Sequence, residues 1–175
     1  AAMHRAVDEL DATGTVAVGD ISNALISPAL LRDRGVSAVV FHELIGFRDA
    51  DGTAAVAASA ARRAPADDRG VRVVPAAHAP FSVSPELFAA IRDDVRRLPR
   101  PITSVHVGES PEEVQLLRDG SGPWRTRLQE LGAWRDDWTP PGTGPGDYLC
   151  DLGLLDAGSL AVHGVQLSDR ELDRF

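Results

Sequence analysis

At 175 residues the chain fits one ordinary domain or a piece of a larger one. Hydrophobic residues make up 43% and charged residues 25%, the balance of a globular chain and not of a disordered, collagen-like or coiled-coil one. A formal net charge of -8 argues against a phosphate-backbone partner, because nucleic-acid binding rests on clustered cations.

The one cysteine, Cys150, has no partner for an internal disulfide or a thiolate metal site, and reads as a small buried residue. All the basic residues are arginine, which removes Schiff-base chemistry and a carboxylated-lysine metal bridge together. The longest apolar runs, such as Val36 to Phe41, are strand-sized, far below the roughly 20 residues that cross a membrane. No N-terminal stretch has the order of a signal peptide, so a cytoplasmic protein without a membrane partner is expected.

In chain order, the N-terminal residues up to Leu10 read as a helix already under way. Short valine-rich runs then alternate with amphipathic segments. Strands are expected over Thr15 to Asp20, Val36 to Phe41, Val71 to Ala76, Thr103 to His106 and Leu160 to His163. Helices are expected over Pro28 to Arg34, Thr53 to Arg63, Pro85 to Leu98, Pro111 to Leu117, Arg125 to Leu131 and Gly146 to Leu152. Ser84 before Pro85 and Ser110 before Pro111 are cap-then-proline helix starts, and Ser168 caps a last helix that stops after roughly two turns. Both ends read as cut. The Pro/Gly-rich stretch from Thr139 to Gly146 reads as a long loop over the catalytic end.

Alternating β and α with apolar strands predicts a parallel sheet covered on both faces, an α/β fold. A five-stranded open sheet of flavodoxin-like type would be complete at this length, whereas a (β/α)8 TIM barrel takes about 250 residues and would be present only in part. The ends favour the partial barrel. The open-sheet reading needs a phosphate or cofactor loop after the first strand, and Gly19-Asp20-Ile21-Ser22-Asn23 lacks the glycine-rich pattern. A partial barrel should leave apolar strand faces and unpaired edges open to water.

Ionisable residues gather just after the strands, where parallel α/β folds keep their sites. His42-Glu43 follows the second strand, His78 the third, His106 to Glu109 the fourth and His163-Gly164 the fifth. Four of the five histidines thus share one relative position; His4, in the leading helix, reads as a surface residue. Imidazoles from several strand ends converging on one ion suit metal-assisted hydrolysis. From His106, three residues of turn can bring Glu109 back over that ion as a proton shuttle.

These motifs resemble the amidohydrolase superfamily, in its cytosine, guanine and S-adenosylhomocysteine deaminase and chlorohydrolase-like branch. Val18 to Asn23 with Val40 to Glu43 is similar to that family's second and third strands. Ala77-His78-Ala79-Pro80-Phe81-Ser82 resembles its fourth-strand motif, usually Pro-His-Ala-Pro-Tyr-Ser. Ser104-Val105-His106-Val107-Gly108-Glu109 resembles its fifth-strand His-x-x-Glu, and Ala161-Val162-His163-Gly164 its sixth-strand histidine.

The resemblance implies that residues 1–175 are a fragment of one barrel domain, about strands two to six. It makes His106 a ligand of one divalent metal, zinc first and iron second, and Glu109 the proton shuttle. His163 would orient the attacking water or bind a second metal in binuclear relatives. His78 and Glu43 would contact substrate, and Trp124 would cover the substrate ring or simply pack a helix.

Two departures shape the expectation. With no lysine, and no acid within Val71 to Ala77 to replace it, a single-metal hydrolase is favoured over a binuclear amidase. The family's first-strand His-x-His pair and eighth-strand aspartate have no counterpart, so one expected ligand remains and the chain alone should turn over nothing measurable. The reaction expected of the whole is hydrolytic deamination of a purine-like or other N-heteroaromatic amine. An amidase or triazine-type chlorohydrolase is the alternative. The partner is a small-molecule substrate, with a homo-oligomer of the full-length protein left open.

Overall fold

The computed structural model describes residues 2–68 and 70–174. Among these, the chain runs through α1 (Ala2–Ala12), β1 (Ala17–Ser22), α2 (Ser27–Asp33), β2 (Ser37–Leu44), α3 (Thr53–Arg63) and β3 (Val71–Ala77). It continues through α4 (Pro85–Arg96), β4 (Thr103–Val107), α5 (Pro111–Asp119), α6 (Pro123–Glu130), α7 (Pro145–Asp151), β5 (Ser159–His163) and α8 (Asp169–Leu172). Every expected strand is present. The second is longer than expected: parallel pairing with β3 carries it through His42 and Glu43 to Leu44, opposite Ala77. The polar pair expected after this strand therefore lies within it.

β1 pairs with β2, β2 with β3, and β4 with β5, all in parallel. The two ladders meet where the His106 N–H donates to the His78 carbonyl at 2.8 Å. The Thr103 hydroxyl adds a bond to the Pro75 carbonyl at 2.9 Å. The strands thus lie side by side in chain order, whereas a flavodoxin-like sheet places its first strand between the second and third. That order rules out the flavodoxin-like module and leaves an α/β fold with parallel sheets.

The main core lies between β3, β4 and the helices that cover them, with Phe88, Leu87 and Ile91 of α4, Val105 and Val107 of β4, and Leu116 and Leu117 of α5. A second core joins Val7 and Leu31 of α1 and α2 to Ala38, Val40, Val71 and Val73. The other face of the sheet is covered only in part: Phe41, Val74 and Ala76 are buried there. In β1, by contrast, Ala17, Gly19 and Ile21 alternate outward to solvent, and Leu160 of β5 is 48% exposed. This matches the open strand faces expected of a partial barrel.

Ser84 caps α4 by accepting the Leu87 N–H at 3.0 Å, as its sequence predicts. Gly52 starts α3 at a φ of 73°, and a Cβ there would stand 2.7 Å from the Leu87 Cα. Gly52→Ala combines a left-handed backbone with a clash against a neighbouring main chain. It is expected to lose about 1–3 kcal/mol, read as a lower urea midpoint. An unchanged midpoint would contradict this packing of α3 against α4.

Candidate active site

Side chains alternate across a strand, so neighbours in β2 serve opposite faces. Ala38, Val40 and His42 point to the helix-covered side, while Val39, Phe41 and Glu43 point to the other. His42 is buried with its Nδ1 2.7 Å from the Ser59 Oγ of α3. Arg63 Nε donates to the same oxygen at 3.1 Å and the Arg63 guanidinium pairs with Asp94 at 2.5 Å. Ser59 Oγ thus bridges His42 and the Arg63 guanidinium. His42 is therefore a packing residue, and the expected group of four histidines reduces to three.

Burial first, and the charge of Arg62 second, lower the His42 pKa below its ordinary 6.5. A histidine kept neutral in the fold binds its proton more readily when unfolded. Its contribution to stability is present above pH 6.5 and is lost as pH falls below it. His42→Gln is expected to flatten the fall in urea midpoint between pH 7.5 and 5.5, relative to the unsubstituted chain. Parallel pH curves for the two proteins would contradict a neutral His42.

The remaining groups converge at the ends of β2 to β5. His106 Nε2 lies 3.2 Å from Glu43 Oε1, and His106 Nδ1 lies 3.2 Å from His163 Nε2. The His78 and His106 rings stand 5.4 Å apart. His78 Nδ1 is 2.5 Å from the Ser82 Oγ, which leaves Nε2 toward the site, and Asn23 Nδ2 donates to Glu43 Oε2 at 2.9 Å. Burial, more than any neighbour, lowers the His78 pKa and favours the neutral ring.

One ligand atom each from Glu43, His78 and His106 lies within 4.8 Å of the others. Two imidazoles and a carboxylate are a donor set suited to a divalent ion such as zinc. Ser82 and Asn23 supply the outer hydrogen bonds that fix such ligands. Where the sequence pattern leaves one ligand in this chain, the structure brings three donors together.

His163 reaches this group by an unusual backbone. Opposite Val107 in the β4–β5 register, regular alternation would aim it at the helix-covered side. Its φ of 77° turns the side chain toward His106 instead. His163 Nε2 then lies 3.8 Å from Glu109 Oε1.

Glu109 sits on the turn between β4 and α5, made possible by Gly108 at a φ of 62°. The buried Glu113 accepts from the backbone N–H of Gly108 and of Glu109, at 3.0 and 2.9 Å. Beside this turn a cavity of about 580 Å³ is lined by His78, Phe81, Glu109, Glu112, Trp124 and Arg127. Trp124 stacks on Phe81 at 3.9 Å, so it both packs and forms the cavity wall. A more apolar pocket of about 300 Å³ shares His78, Phe81, Trp124 and Arg127 and extends toward Phe47 and Leu128.

The structure thus gathers Glu43, His78, His106, Glu109, His163 and Trp124, all singled out in the sequence. Asn23, Ser82, Phe81, Arg127 and Glu113 join them without having been expected. Asn23, Phe81 and Ser82 lay within the matched motifs without an assigned role, and Glu113 carried the Ser-x-x-Glu signal of a helix start. The loop from Thr139 to Gly146 packs against α5 and the start of α8. Pro140 and Gly142 meet Gly120 and Leu117 at the C-terminal end of α5, and Gly144 and Gly146 approach Glu171.

Comparison with known proteins gives no matching family model. An aminodeoxyfutalosine deaminase from Deinococcus radiodurans is 31% identical, over 99% of this chain and 44% of its own length. The crystal structure of Helicobacter pylori aminofutalosine deaminase in complex with methylthio-coformycin superposes with a TM-score of 0.84 at 27% identity, covering 98% of this chain and 41% of that one. An adenosine deaminase from Xanthomonas campestris with bound zinc shares the fold, with a TM-score of 0.73 at 22% identity over 98% of this chain and 36% of that one. The chain therefore spans less than half the length of the relatives it matches. With its parallel strands in barrel order and its ordered histidine and glutamate motifs, the chain is similar over nearly its whole length to deaminases of the amidohydrolase superfamily.

Proposed function

We propose that the chain forms about strands two to six of the (β/α)8 barrel of a cytoplasmic, metal-dependent hydrolase that deaminates a small N-heteroaromatic amine. The observation that carries this reading is the convergence of His106 with Glu43, His78 and His163, with Glu109 on the adjoining turn. The Deinococcus and Helicobacter relatives named as deaminases support the reaction class, and the zinc bound to the Xanthomonas relative supports the metal.

His106 would hold a single divalent metal, with the Glu43 carboxylate as the neighbouring donor. When bound, such an ion supplies the Lewis acidity that makes water nucleophilic near neutral pH. Glu109 takes the proton from the attacking water and returns it to the departing amine. A C–O bond forms as the C–N bond breaks, and the nitrogen leaves as ammonia. His163, within reach of both His106 and Glu109, orients the water. The neutral His78 faces the cavity and contacts the substrate, while Trp124 and Phe81 exclude water from beside its ring. Glu43 braces His106 and stands just beyond the residues that line the cavity.

A chlorohydrolase or amidase would use the same residues and differ in the leaving group. A panel of aminopurines, chlorotriazines and aryl amides, scored for ammonia, chloride and carboxylate release by the zinc-loaded full-length protein, separates them. Ammonia from the aminopurines is the expected result. Chloride or carboxylate release without ammonia would replace the deaminase reading.

A further inference from the structure

The sequence contains two Ser-x-x-Glu helix starts, and their glutamates behave differently. At α8 the box is reciprocal: Ser168 Oγ accepts from the Glu171 N–H, and Glu171 Oε2 accepts from the Ser168 N–H at 2.9 Å. At α5 the Ser110 hydroxyl caps in the same way, at 3.3 Å from the Glu113 nitrogen. The Glu113 carboxylate, however, reaches back to the preceding turn. Oε1 accepts from Gly108 N–H and Oε2 from Glu109 N–H, at 3.0 and 2.9 Å.

Glu113 is 0% exposed and enclosed beside Leu116 and Leu117. Burial raises its pKa to about 7, against the opposing pull of the Gly108, Glu109 and Ser110 amides. A helix cap does not need a fully buried carboxyl; serine alone caps α4. What the second carboxylate adds at α5 is a two-point hold on the backbone of residues 108 and 109.

We propose that Glu113 is a positioning residue for Glu109. Its carboxylate clasps the turn after β4 and fixes how far the Glu109 side chain reaches past His106 toward the substrate. The role of Glu109 rests on the deaminase reading above, but the clasp can be measured without turnover.

The first measurement is amide hydrogen exchange in the full-length protein that carries this chain. The Gly108 and Glu109 amides are expected to exchange slowly, and rapid exchange of both overturns the clasp whether or not any variant folds. Glu113→Gln keeps the size of the side chain and turns one acceptor into a donor that faces an N–H. In that variant the two amides are expected to exchange about tenfold faster or more. In the same variant kcat should fall about 10–100-fold at unchanged KM and unchanged bound zinc.

Exchange unchanged from the unsubstituted protein, or faster exchange with normal kcat, overturns the positioning role. Normal turnover by Glu109→Gln is a separate outcome. It removes the assigned role of Glu109, and with it Glu113 as its positioner, while the exchange rates still report on the clasp.

Discussion

Glu109→Gln in the full-length protein is expected to lower ammonia release about 10²–10⁴-fold while leaving the bound metal in place. The amide matches the carboxylate in shape but cannot carry a proton from water to the leaving nitrogen. Glu109 stands apart from the trio of donors formed by Glu43, His78 and His106, so metal content should not follow activity down. Its side chain is 47% exposed at the cavity edge, 3.8 Å from His163, so the substitution leaves the core untouched. Zinc content by atomic absorption, read beside the rate, checks both halves. Near-normal turnover would remove Glu109 as the shuttle, and loss of zinc would make it a ligand.

Phe88→Ala is expected to be the most damaging core substitution, at about 3–5 kcal/mol. Phe88 is the largest of the fully buried side chains and meets the Tyr148 ring edge-on at 6.2 Å. It ties α4 to α7 within the main core. Removing the ring opens a cavity among Leu87, Ile91 and Leu149, whose backbones are fixed in helices and cannot readily close it. Urea unfolding measures the loss, and a change below about 1 kcal/mol would show that α4 is not packed as described.

Much of this arrangement is legible in the chain because it is set locally. The helix Thr53–Arg63 falls where its pattern puts it, and Ser84 and Ser110 cap where a serine precedes a proline. β2, β3 and β4 are rich in valine, whereas β5 holds Val162 alone. Histidine placement is harder, because one residue of alternation decides which face a side chain meets. His42 and Glu43 are adjacent, yet the first braces α3 and the second faces His106.

His163 shows the converse case. A left-handed φ, which sequence does not predict for a histidine, brings it to the site against the strand register. Glu113 and Arg127 were missed for a third reason: their roles depend on contacts made after folding. The Phe47, Trp134 and Trp138 cluster beside the apolar pocket is of the same kind, joining residues nearly 90 positions apart.

The central claim is that one metal, held with the help of His106, drives deamination. Titrating the metal-free full-length protein with zinc while measuring ammonia release from an aminopurine tests it most directly. The account predicts a linear rise to one equivalent of zinc followed by a plateau, and no such rise for His106→Ala. Full ammonia release after chelation, or a plateau unchanged in His106→Ala, would contradict it.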